Sequence, residues 1–354
     1  MSLPPLLTHH DEARSRLPAG VYDYFAAGAG AEQTLGEAEQ VWSRFRLRPR
    51  VLRDVSSVDL TTTLLGDTFA SPVAVAPAAF QQLAHPDGEE AVAAGARAAG
   101  SLYVVSTRSS KLLEDVAAAA VGPWWFQVYV MRDRALTAAL VHRAVAAGAR
   151  ALVVTGDTPV VGRKRRIEGT RISIPDDAFL VNLAPHLGDV PAAAARAAAE
   201  QDPGATTDVI RWLHEISDLP VLVKGVLRGD EAVRCLDAGA QGVVVSTHGG
   251  RQLDRVLPSA LALTEVVDAV AGRAPVLVDG GIRSGLDCLV ALALGADGVL
   301  IGRPVVWGLA AAGADGVAST LRALVDDLAH GMALVGATRV GDLDRSVVVI
   351  PPGT

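Results

Sequence analysis

The stretch Ser246-Thr247-His248-Gly249-Gly250-Arg251-Gln252-Leu253-Asp254 sets an imidazole and a guanidinium three positions apart, with two glycines between them. A histidine can take a proton near neutral pH, and an arginine is a fixed cation with a planar fork that suits a carboxylate. The glycines let the backbone turn and let a ligand come close. Such a loop can deprotonate an organic acid while gripping its carboxylate. It follows the apolar run Gly242-Val243-Val244-Val245, as a loop leaving a buried strand would.

The elements that must hold this loop recur along the chain. Ala98-Ala99-Gly100, Ala147-Gly148-Ala149, Ala238-Gly239-Ala240 and Leu294-Gly295-Ala296 each precede a short β-branched run: Leu102–Ser106, Ala151–Thr155, Val243–Ser246 and Val299–Gly302. Glycine closes a helix in the left-handed conformation, and a continuous apolar run suits a parallel strand buried on both faces. Pro72–Ala76, Trp125–Tyr129, Pro220–Lys224 and Pro275–Asp279 fit the same role. Eight β/α repeats in 354 residues predict an α/β TIM (β/α)8 barrel, organised as a single domain over 1–354. A doubly wound open sheet is the alternative, weakened because no Gly-x-Gly-x-x-Gly follows the first strand. Residues 1–70 form an N-terminal helical extension capping the bottom or side of the barrel, and 71–354 form the barrel itself. The long insertion after the fourth strand, 176–206, is a candidate lid, or else a mobile, alanine-rich surface segment.

Composition narrows the function. Half the chain is hydrophobic, only 4% is aromatic, and the net charge is -7, which argues against general nucleic-acid binding. Cys235 and Cys288 have neither metal-ligand nor disulfide-framework spacing, which favours a reducing cytoplasmic setting without metal. No signal peptide or membrane span is expected.

Polar residues then collect at nearly all the predicted strand ends, the face on which barrels carry their sites: Ser106, Gln127 with Tyr129, Thr155 with Asp157, Lys224, Ser246 with His248, Asp279, and Gly302-Arg303, while the first strand ends in Pro77-Ala78-Ala79. Gly281, Arg283, Gly302 and Arg303 after the last two strands suit a phosphate, although Gly-Gly alone could mark only a tight turn. Lys224 could stabilise negative charge on a ligand, or pair with Asp279 in the core. Asp157 could orient His248 or serve as a turn aspartate before Thr158-Pro159. The run Arg163-Lys164-Arg165-Arg166 reads as a solvated face or as a contact for an anionic substrate. Val21-Tyr22-Asp23-Tyr24-Phe25, taken by itself, reads as helix packing.

These stretches resemble the FMN-dependent α-hydroxy acid oxidases and dehydrogenases. The resemblance runs from about Leu17 to Met332–Gly336 and rests on Tyr22-Asp23-Tyr24, Ala76-Pro77, His85-Pro86-Asp87-Gly88, Gln127-Val128-Tyr129, Thr155-Gly156-Asp157-Thr158-Pro159, Val223-Lys224-Gly225, His248–Asp254, Asp279-Gly280-Gly281-Ile282-Arg283 and Ile301-Gly302-Arg303-Pro304. It implies FMN as cofactor, oxidation of a 2-hydroxy acid to the 2-oxo acid, O2 or another electron acceptor, and a homo-oligomer, a tetramer in the family. Carried onto this chain, it makes His248 the base and Asp157 its orienting carboxylate. Arg251 holds the substrate carboxylate, and Tyr24 and Tyr129 hydrogen-bond the carboxylate and the α-oxygen. Lys224 faces the flavin N1–C2 edge. Pro77, Ala78, Ala79, Ser106, Gln127, Thr155, Ser246 and Asp279 belong to the flavin pocket, and Gly281, Arg283, Gly302 and Arg303 bind its phosphate. Oxidase is favoured over dehydrogenase by Ala79 and by the lack of a visible haem domain.

Three departures stand out. Thr247 replaces an asparagine usual in the family. Lys164 stands where the family has its second carboxylate-binding arginine, unless a one-residue shift puts Arg163 or Arg165 there. Arg108 replaces a common tryptophan, and points either outward or into the pocket, where an extra cation would suit a more anionic substrate. A biosynthetic flavoenzyme acting on a larger or atypical acid, and a flavin-binding protein without turnover, are the competing readings; joint retention of His248, Arg251, Tyr24 and Tyr129 speaks against the latter.

Overall fold

A computed structural model describes residues 5–168, 172 and 174–350 of the chain; the ends of the extension and barrel expected at 1–4 and 351–354 lie outside the described residues. Eight strands form one parallel sheet: β1 (Val73–Val75), β2 (Val104–Ser106), β3 (Trp125–Val128), β4 (Ala151–Thr155), β5 (Val221–Val226), β6 (Gly242–Val245), β7 (Val276–Asp279) and β8 (Gly298–Ile301). Each pairs with its sequence neighbours, β1 pairs with β8, and a bridge between Val75 and Tyr103 brings β1 against β2. Helices follow the strands, as parallel crossovers require. The open-sheet alternative is thereby excluded.

The strands are short because their two faces are both consumed. Ala74, Val104, Trp125, Val153, Leu222, Val244, Leu277 and Leu300 fill the barrel interior, whereas Val73, Val105, Phe126, Val154, Val223, Val243 and Val278 pack outward on the helices. This alternation inside a continuous apolar run is the signature of a strand with no solvated side. Parallel register aligns the strand ends, for example Thr155 beside Lys224 and Ser106 beside Gln127, so their polar side chains arrive at one level.

The extension contradicts the simple capping expectation in two ways. It is not wholly helical: Thr62–Leu64 and Asp67–Phe69 make a hairpin, and Leu64 and Phe69 close one end of the interior core. Its helices do not stay at the bottom or side. Ala19–Ala26 and Gln33–Trp42 reach the loop end of the barrel, where Ala29 N–H donates to Gly250 O at 2.8 Å and Trp42 Nε1 donates to Gly280 O at 2.8 Å. Gly281, at φ +81°, lies under the second of these helices so closely that a Cβ would sit 2.1 Å from Ala38 O.

Gly281→Ala therefore combines left-handed strain with a backbone clash, and should lower stability by about 3 kcal/mol. Thermal denaturation checks this; an unchanged Tm would show that the helix does not dock there.

Candidate active site

A cavity of about 600 Å³ opens at the C-terminal ends of the strands, within the range of about 300–1,000 Å³ usual for ligand clefts. At its centre His248 Nδ1 lies 2.9 Å from Asp157 Oδ1, and His248 Nε2 lies 3.4 Å from Tyr129 Oη. A carboxylate on Nδ1 selects the tautomer with its proton there, which leaves the Nε2 lone pair facing the cavity. Thr158 Oγ1 also donates to Asp157 Oδ1, at 3.1 Å. Burial pushes the Asp157 pKa up, but the adjoining imidazole, the Lys224 ammonium and the Thr158 hydroxyl together hold it below the ordinary carboxylate value. Asp157 is thus an anion, and not merely a turn residue.

Local backbone features make room for this pair. His248 is held at φ +55°, where an L-residue is strained, and its N–H donates to Ser246 Oγ at 3.0 Å. On β5 the register shifts between Lys224 and Val226. Gly225 occupies that bulge at φ +104°, and a Cβ there would lie 2.5 Å from Asp157 Cβ. The bulge glycine is what lets the aspartate come in from the neighbouring loop.

Arg251 Nη1 donates to the carbonyls of Tyr24 (2.7 Å), Phe25 (3.3 Å) and Ala27 (2.9 Å), and its Cζ lies 5.3 Å from the Tyr24 ring centroid. With these three bonds all on Nη1, the rest of the fork is left for a ligand. Tyr24 lines the cavity, whereas Tyr22 stacks on Trp307 at 5.2 Å, so the Val21–Phe25 segment divides between packing and the site. Burial raises the Tyr24 pKa, opposed by the Arg251 charge, and burial also raises that of Tyr129; both remain neutral phenols.

Sharing the Phe25 and Ala27 carbonyls with Arg251, Arg303 donates from Nε to Phe25 O (3.0 Å), from Nη1 to Gly249 O (2.8 Å) and from Nη2 to Ala27 O (3.1 Å). Burial, reinforced by the Arg251 and Arg283 charges, lowers its pKa to about 9. Arg283 pairs with Glu39 at 2.6 Å. Gly302 precedes the helix Arg303–Val335, so the positive end of that helix faces the same space as Gly281 and the two arginines. A dianionic phosphate fits this donor set.

A polar seam also lines the cavity. Gln127 Nε2 donates to Thr155 Oγ1 at 2.9 Å, and its Oε1 accepts from Ser106 Oγ at 3.1 Å. Lys224, 4% exposed, places Nζ 2.7 Å from Ser246 Oγ and 2.8 Å from Asp279 Oδ2. Lys224 thus pairs with Asp279, one of its two foreseen roles, and also lines the cavity. Asp279 Oδ1 is buried without a partner, which leaves an acceptor on the cavity wall. Pro77, Ala78 and Ala79 complete a flat apolar wall beside these groups. A planar ring with hydrogen-bonding edges and a phosphate tail fits this surface.

Three expectations need correction. Ser246 does not line the cavity; its buried hydroxyl sits behind Lys224 and His248 and bonds both. Arg163 and Arg165 are exposed and do not line the cavity either; Lys164 does, with Nζ donating to Gly162 O at 3.0 Å. The loop therefore keeps the register in which lysine replaces arginine. The third is the outward-pointing reading of Arg108: its side chain is buried on the cavity wall. The neighbouring Arg166 pairs with Glu32.

Sequence reasoning missed Phe80, Phe179, Arg196, Glu200 and Gln201, all of which border the cavity. The last four lie in or beside the 176–206 insertion, which folds into helices Asp176–Leu180 and Ala192–Ala198. Phe179 stacks on Phe80 at 5.7 Å and lies between the guanidinium groups of Arg108 (4.5 Å) and Arg196 (4.2 Å). Such contacts carry no spacing signal in a sequence.

The parallel barrel, the carboxylate-oriented imidazole and the paired cation sites define a flavin-dependent oxidoreductase. Residues 13–350 match the FMN-dependent dehydrogenase family, and the chain belongs to that family. FMN is its cofactor. The chain is 45% identical to L-lactate oxidase of Nostoc sp., over 96% of each, and 42% identical to glycolate oxidase of Spinacia oleracea, over 94% of this chain and 92% of that one. A crystal structure of mandelate oxidase superposes with a TM-score of 0.90 at 43% identity, covering 97% of both chains.

Burial, and then the Arg251 charge, lowers the Lys164 pKa to about 8. Lys164 is therefore a cation below that value and neutral above it. If it grips a substrate carboxylate, kcat/KM should fall as pH rises past about 8, and Lys164→Arg should flatten that limb. A pH profile of both proteins checks this; a wild-type profile level through the alkaline range would remove Lys164 from substrate binding.

Proposed function

We propose that the protein oxidises a small 2-hydroxy acid to its 2-oxo acid through FMN, with dioxygen as the final acceptor. The observation that carries the reading is the Asp157–His248–Tyr129 chain, with Arg251 facing the same space. The similar proteins named lactate, glycolate and mandelate oxidase support both the substrate class and the acceptor.

The substrate carboxylate docks on the open part of the Arg251 fork, helped by the Tyr24 hydroxyl and Lys164. That anchor aims the α-hydroxyl at His248 Nε2 and Tyr129 Oη, which lie 3.4 Å apart and can share one oxygen. His248 takes a proton at Nε2, and the Asp157 carboxylate stabilises the imidazolium so formed. When bound, FMN supplies the two-electron acceptor. Lys224 holds positive charge at the wall where that acceptor lies, and Ser246 and Asp279 keep it in place. Gly281, Gly302, Arg283 and Arg303 hold the phosphate. The segment 176–206 serves as a lid, with Phe179 stacked on Phe80 excluding water from the proton transfer. Substrates larger than the cavity admits, as in a tailoring enzyme, are disfavoured by that stacked pair.

Around this catalytic unit the chain forms one domain. No helix among the described residues is long and apolar enough to cross a membrane. Two free, buried cysteines suit a cytoplasmic enzyme. Self-assembly into a homotetramer is carried over from the family resemblance, and light scattering of the FMN-loaded protein tests it.

Purified protein should carry a flavin spectrum that bleaches anaerobically with one or more of glycolate, lactate and mandelate, and recovers in air with release of peroxide. His248→Ala should bind FMN normally and be reduced at least about 100-fold more slowly. Unimpaired reduction would show that another group takes the proton.

A further inference from the structure

One cation in the cavity has no work in this scheme. Arg108 follows β2, is 7% exposed and borders the cavity, and its guanidinium, like that of Arg251, acts electrostatically on the Tyr24 and Tyr129 phenols. Its Nη2 donates to Ala199 O and its Cζ lies 4.5 Å from the Phe179 ring centroid, but Nη1 is buried with no partner. Among the described residues it forms no ion pair. The other charges around it are spoken for: Arg196 pairs with Asp176 at 2.5 Å, and Glu200 with Arg132 at 3.4 Å. A buried guanidinium without a counter-ion is rare, because desolvation opposes its charge and a single carbonyl with one ring face repays only part of that.

The charge count gives the same result. In this reading Arg303 and Arg283 are taken by the cofactor phosphate. Arg251 and Lys164 already match the single carboxylate of a simple 2-hydroxy acid. Arg108 is left over. We propose that Arg108 is a specificity-determining residue that binds a second anionic group, so that the preferred substrate is a 2-hydroxy acid carrying a further carboxylate at the end remote from its hydroxyl. This rests on the oxidase reading above and narrows its substrate class. Phe179, seated over the same guanidinium, belongs to the lid, so closure would complete the second anion site at the moment the substrate is enclosed.

The test compares two acids of equal chain length, 2-hydroxyglutarate and 2-hydroxypentanoate, which differ in having a carboxylate or a methyl at carbon five. Anaerobic reduction of the FMN-loaded protein should favour the dicarboxylate by at least about tenfold in kcat/KM, the size of one charge-assisted hydrogen bond. The corresponding oxo acids, titrated calorimetrically, should differ likewise in Kd. Arg108→Met should abolish both preferences, and Arg108→Lys should keep part of them. Equal or better reduction by 2-hydroxypentanoate would overturn the proposal and leave the oxidase reading intact. If neither acid nor glycolate, lactate or mandelate reduces the flavin, the oxidase reading fails. Calorimetry then decides Arg108 separately: equal Kd values for the two oxo acids overturn its role, and a dicarboxylate preference lost in Arg108→Met sustains it. Should Arg108→Met not fold, the wild-type preference between the two acids alone decides.

Discussion

The site depends on a short run of backbone carbonyls. Phe25 O accepts from Arg251 Nη1 and from Arg303 Nε, while Ala27 O accepts from Arg251 Nη1 and Arg303 Nη2. One turn of chain thereby fixes Arg251, proposed for the substrate, and Arg303, proposed for the phosphate, relative to each other. Two guanidinium groups packed this close repel, and burial adds a desolvation penalty of several kcal/mol for each ion. Carbonyl dipoles lessen both without neutralising either charge. The result is a pair of rigid cations still able to bind anions, which fixed carboxylate partners would have quenched.

Other charges near the cavity are paired: Lys224 with Asp279, Arg283 with Glu39, and the Asp157 carboxylate with the His248 imidazole. Lys164 and Arg108 instead donate to neutral carbonyls, Gly162 O and Ala199 O, and form no ion pair among the described residues. Stability and binding pull in opposite directions at these positions. The barrel can bear the imbalance because its interior, from Val104 to Leu300, is sealed and apolar.

Most of the architecture could be read from the sequence, because strands buried on both faces must be continuous apolar runs and their ends must be polar. The N-terminal segment could not be placed so easily. Tyr24 is suggested by the family motif, but the carbonyls beside it are present in every residue and leave no trace in composition or spacing. Lys164 could not be told from Arg163 and Arg165, since a one-residue slip in an irregular loop changes which side chain turns inward. Ser246 was assigned to the right neighbourhood and the wrong layer: the chain leaves the strand at Val245 and turns at His248, which sends the imidazole to the cavity and leaves the Ser246 hydroxyl behind it. Phe179 and Arg196 escaped because an alanine-rich insertion has no period that marks its inward residues.

The carbonyl run has a consequence for how the protein is made. Its acceptors come from residues 24–27, while the donors lie 224–278 positions further along the chain. Contacts that distant close late, after the loop entropy between them has been overcome. During synthesis the N-terminal turn must wait, undocked, until nearly the whole barrel has emerged. The pair of arginines is therefore complete only once Arg303 has been made, so a shorter chain lacks the finished pair. Loading with FMN becomes a mark of completion.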